Sequence, residues 1–95
     1  MTYREQLNKL NELGINICDL TIANELDCVL DCDYNEKDFE RLCDLAVDLY
    51  LKSDSITANS IAHAINDLIA NENYSITQVL EMERWDLILK ASYYD

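Results

Sequence analysis

Hydrophobic residues recur every three or four positions along most of this chain, and that period predicts helices. In TYREQLNKLNEL, Tyr3, Leu7 and Leu10 share one side, and Gly14 followed by Ile15 marks a left-handed stop. The link INIC leads to Asp19 or Thr21 as cap of a second helix, whose stripe is Ile22, Leu26, Val29 and Leu30 and whose end falls near Cys32. Asn35 caps a third, EKDFERLCDLAVDLYLK, with Phe39, Leu42, Cys43, Ala46, Leu49 and Tyr50 along one side and Asp44 and Asp48 along the other. Ser55 or Thr57 opens a fourth, with Ile61, Ile65, Leu68 and Ile69 inward and a break over residues 71–74. Ser75 and Gln78 form a capping box for a fifth, ITQVLEMERWDLILKA.

Composition supports this reading. The chain has no proline and one glycine, which leaves little for the tight turns of a β-rich domain. Ninety-five residues, 49% apolar and 27% charged, suit one domain with one modest core. The expected fold is all-α: a compact single-domain bundle of about five helices over residues 1–95, without internal repeats. The N-terminus lacks a signal-peptide pattern, and no apolar run is long enough to span a membrane. A cytoplasmic protein is expected, in which the four cysteines are free thiols or metal ligands and not disulfides.

Charge changes the picture further. Nineteen acids face seven bases, a net charge of -12, which argues against direct nucleic-acid binding. Residues 71–74 and the helices around them have a faint helix-turn-helix cadence, but SITANSIAHAINDLIANENYSITQVL contains no lysine or arginine to meet phosphates. Eight acids lie in residues 19–40: Asp19, Glu25, Asp27, Asp31, Asp33, Glu36, Asp38 and Glu40, against Lys37 alone. A basic groove built for nucleic acid attracts such a surface, although acids of this density also serve solubility alone. On the third helix, Lys37, Arg41 and Lys52 stand about one turn from acids, so that face reads as solvated and self-paired.

No catalytic constellation emerges. Phosphate-binding glycine loops are absent, carboxylates are too numerous for any pair to be informative, and nothing supplies a cleft or oxyanion donors. The chain reads as a non-enzyme. At roughly 100° per residue, Cys28 and Cys32 flank the core stripe of their helix, whereas Cys43 lies on the inward stripe of its own as a small apolar residue. His63 projects nearly opposite Ile61, with Asp67 one turn on. A pair at i and i+4 on each of two helices, Cys28 with Cys32 and His63 with Asp67, makes a four-ligand set that fits zinc, with Cys18 and Cys43 as substitutes. The alternative is structural or incidental thiols.

The fifth helix carries two apolar sides. Ile76, Val79, Leu80 and Leu87 form one; Met82, Trp85 and Leu89 form another, with Tyr93 and Tyr94 close behind. Either both are covered within the bundle, or the second is an interface anchored by Trp85, for another protein or for self-association as a homodimer.

In its acidic, proline-free, Asn/Asp/Glu/Ile/Tyr-rich character, clearest in NELDCVLDCDYNEKDFERL, the chain resembles the short helical phage proteins that block Cas9, the type II-A anti-CRISPR proteins. The resemblance covers the whole chain in overall style. The family has no shared fold or signature, and no functional residue is carried over from it. It implies a phage protein acting in the host bacterial cytoplasm by binding Cas9 and preventing target DNA from loading or being cut. The alternative is a small phage or mobile-element regulatory or adaptor module working through protein contacts.

Overall fold

Cap chemistry sets most of the helix ends. The computed structural model describes residues 3–15, 20–31 and 33–94. The helices are α1 (Tyr3–Glu12), α2 (Leu20–Val29), α3 (Glu36–Lys52), α4 (Ala58–Asn66), α5 (Ile76–Glu81) and α6 (Arg84–Ser92). Among the described residues there is no strand, and the fold is all-α. The Asn35 side chain accepts from the Asp38 N–H and starts α3 at Glu36. Thr57 opens α4 through a reciprocal box with Ser60, and Ser75 opens α5 through another with Gln78. Ser55, the other candidate opener, instead sits in a turn bonded to Ser53.

Gly14 ends α1 at φ +74°. The Ile15 N–H reaches the Leu10 carbonyl, and the Gly14 N–H reaches that of Asn11, the paired bonds of a Schellman stop. Thr21 lies inside α2 and is not its cap. Asp19, the other cap candidate, lies outside the described residues, as does the Tyr3 side chain. α2 stops at Val29, short of the expected end.

Two other differences come from packing. α3 buries Leu45 and Val47 beyond the expected stripe, because neighbours cover it on more than one side. α4 continues as a π-helical segment, Asp67–Asn71, in which the Glu72 N–H bonds the Asp67 carbonyl. Asn73 at φ 62° then turns the chain, a conformation asparagine tolerates better than most residues.

The predicted fifth helix is two. Met82 and Glu83 are extended between α5 and α6. Neither proline nor glycine marks the break. Arg84 supplies the cause: its guanidinium donates to the Leu80 and Met82 carbonyls, both at 3.2 Å, satisfying groups that a helix end leaves open. The re-phasing turns Met82 against the core and Trp85 outward.

At the centre lies α4, which touches α2, α3 and α6. Ser60, Ile61, Ala62, Ala64 and Ile65 are all buried. Around them pack Ile22 and Leu26 of α2, Leu42, Cys43, Ala46 and Leu49 of α3, and Leu87, Ile88 and Ala91 of α6. The radius of gyration is 12.4 Å, matching the ~12 Å of a compact chain this long.

Thr57→Ala removes the side-chain half of the α4 box, and urea unfolding is expected to show a loss of about 1 kcal/mol. Thr77→Ala, at an exposed position of α5, is the control and is expected to change stability by less than about 0.5 kcal/mol.

Candidate functional site

The acids of residues 25–40 sit where the end of α2, the connecting loop and the start of α3 meet, and three hydrogen bonds and a ring stack hold this region. The Asn59 side-chain amide of α4 donates to Glu25 at 2.9 Å, and the Asp31 N–H donates to Asn66 Oδ1 at 2.8 Å. The Tyr34 hydroxyl donates to Asp27 at 2.8 Å, while its ring stacks on Phe39 with centroids 5.1 Å apart. The carboxylates of Asp31, Asp33, Glu36 and Glu40 therefore face solvent from a braced scaffold. Asp38 pairs at 4.0 Å with Arg41. Glu36 and Asp38 also lie in the first turn of α3, where the helix dipole favours negative charge.

Lys52, Arg84 and Lys90 are engaged elsewhere, whereas Lys37 and Arg41 stand on α3 beside these acids. Lys52 and Arg84 share Asp48 at 3.1 and 3.0 Å, so one predicted same-face pair is joined by an arginine from a distant helix. Arg41, Asp44, Leu45, Asp48, Leu80 and Arg84 line a cleft of about 280 Å³. Burial there, with the Glu40 charge adding to it, raises the Asp44 carboxyl above the ordinary carboxylate range.

Of the residues expected to hold zinc, Cys28 is exposed on α2 and His63 is exposed on α4. The contacts at Glu25–Asn59 and Asp31–Asn66 are offset by 34 and 35 residues, so α2 and α4 run parallel and Cys28 lies level with His63. Cys32 and Cys18 lie outside the described residues. Cys43 is fully buried in the core. Asp67 turns to α6: Lys90 Nζ lies 2.6 Å from it and 2.7 Å from Glu72, and the Asn71 amide donates to it at 2.6 Å. Among the described residues, no three histidine, cysteine, aspartate or glutamate side chains gather as a metal-binding group.

This Asp67–Lys90 contact was not visible in the pattern of positions. Hydrogen bonds from Lys90 and then Asn71 hold the Asp67 carboxyl below its usual range, and the bonds to Asp67 and Glu72 raise the Lys90 ammonium. The His63 ring stacks on Tyr94, centroids 5.8 Å apart, and completes the link between α4 and the C-terminal end of α6.

The outer side of α6 is the second candidate surface. Leu87, Ile88 and Ala91 are buried, while Trp85 and Leu89, one turn apart, are 66% and 62% exposed. Met82 does not join them, being half-buried against the core. Tyr93 and Tyr94 follow as exposed rings. Glu81, Glu83 and Asp86 are exposed nearby in the chain.

No protein-family model matches this chain, and neither the curated proteins nor the solved structures compared with it include a match. No helix among the described residues is long and apolar enough to cross a membrane.

The Asp67 contact has a pH signature. Because its carboxyl is held lower in the folded chain, its contribution is complete above the unfolded value of about 3.9 and fades as pH falls through the folded one. The stability difference between the protein and Asp67→Asn, from urea unfolding, is expected to be largest near neutrality and to shrink as pH falls below the unfolded value of about 3.9. A difference that stays constant over that window refutes the assignment.

Proposed function

We propose that this chain works by binding and not by catalysis, as an inhibitor that places its acidic face on a basic, nucleic-acid-handling protein. The observation carrying this reading is the braced display of carboxylates between α2 and α3. Asp31, Asp33, Glu36 and Glu40 point to solvent while neighbouring side chains fix the backbone beneath them. Fixed charges cost less to order on binding than mobile ones, and they steer a partner of opposite sign. The resemblance to type II-A anti-CRISPR proteins makes Cas9 the partner of choice, with target DNA as the competitor.

A second reading, a regulatory or adaptor module, draws on Trp85 and Leu89. An exposed tryptophan matches the anchors of protein interfaces, and an exposed leucine extends its apolar surface one turn away. Such a partner meets an apolar centre with an acidic rim and carries basic residues around its own pocket.

Target-DNA binding by guide-loaded Cas9, titrated with this protein added before or after the DNA, tests the first reading. DNA binding is expected to be lost only when the protein is added first. A folded variant carrying Asp31→Lys, Asp33→Lys and Glu36→Lys is expected to bind Cas9 roughly 10-fold or more weakly, with a flatter salt dependence. No effect of the protein in either order, on binding or on cleavage, rejects the Cas9 reading and favours the adaptor.

A further inference from the structure

We propose that α1 is the face on which a second copy of this chain docks. The first reason is local. Among the described side chains of this ten-residue helix, which packs on α3, Leu7 is the buried one. A helix this short has little stability of its own in water. Leu10 is exposed, and Leu13 is 67% exposed. With Gln6 and Lys9 they line a shallow, apolar hollow of about 340 Å³, and the exposed Ile15 lies just past the Gly14 turn.

Charge identifies the occupant. Residues 1–18 hold two acids, Glu5 and Glu12, and two bases, Arg4 and Lys9, a balance of zero. Residues 19–95 hold the other 17 acids and 5 bases, and so the whole net charge of -12. Two copies meeting elsewhere bring like charges together. At the Trp85–Leu89 face in particular, each copy adds Glu81, Glu83 and Asp86. On α1 that local penalty is absent, and the longer-range repulsion between the two acidic bodies is what remains.

The local pattern is also self-complementary. Lys9 lies one turn before Glu12, so a two-fold, antiparallel pairing of α1 helices centred between Leu10 and Asn11 sets the lysine of each copy against Glu12 of the other. Equivalent patches meeting about a two-fold axis are the commonest way for identical chains to pair. A basic partner drawn by the carboxylates of α2 and α3 has no net charge on α1 to attract it. The small contact area of a single helix pair places the dimer among weak, reversible ones.

Sedimentation equilibrium of the full chain over a wide concentration range tests this directly. The weight-average mass is expected to climb from 11.0 kDa toward twice that value, and to climb further at high salt, because screening relieves repulsion between the acidic bodies. Leu13→Glu is expected to hold the mass at the monomer value with an unchanged thermal melt; Leu13→Gln serves if the glutamate variant fails to fold. Trp85→Ala is expected to dimerise as the parent does. A mass that stays monomeric at every concentration, a dimer unaffected by both Leu13 changes, or one abolished by Trp85→Ala overturns the proposal. The readout does not involve Cas9, so its failure is separate from that of the inhibitor reading.

Discussion

Everything else in this bundle depends on the burial of α4. Three helices close around it, and they can do so because Ser60, Ala62 and Ala64 are small, while Ile61 and Ile65 fill the space between them. A buried serine is normally a liability, since an unmet hydroxyl costs about 1–3 kcal/mol. Here the Ser60 hydroxyl donates to the Thr57 carbonyl and accepts from the Thr57 N–H, both at 2.9 Å. One box therefore starts the helix and satisfies the polar group that close packing buries.

The surface follows from how the other helices are attached to this centre. α2 is fastened along α4 by Glu25–Asn59 and Asp31–Asn66, and α6 by Lys90 on Asp67 and Glu72. Arg84 ties α6 to α3 while closing the end of α5. Lys52, Arg84 and Lys90 are thus engaged in holding helices or pairing acids within them. With so few bases in the chain, their use at these seams leaves Lys37 and Arg41 as the bases beside the eight acids of residues 19–40. The acidic face is partly a product of where the bases go.

Three surfaces of different chemistry result. The α2–α3 end is charged and braced, the Trp85–Leu89 pair is apolar with acids close by in the chain, and α1 is apolar and neutral. Salt acts on them in opposite directions. Attraction between the acids and a basic partner weakens with screening, whereas approach of two acidic bodies through a neutral helix becomes easier.

Local chemistry determined the all-α class, the caps at Asn35 and Ser75, the stop at Gly14 and the burial of Cys43, all legible in the chain, and narrowed the start of α4 to Ser55 or Thr57. Each depends on residues within about one turn of one another, the range over which caps and helical period operate. Tertiary structure decided what distant groups do. The break between α5 and α6 has no proline or glycine to announce it; it rests on an arginine that also pairs with Asp48, 36 positions away. The same holds for the parallel seam between α2 and α4, the attachment of Asp67 to Lys90, and the outward turn of Trp85 while Met82 faces the core. Such partners are selected by packing, which brings together side chains that sequence spacing leaves unrelated.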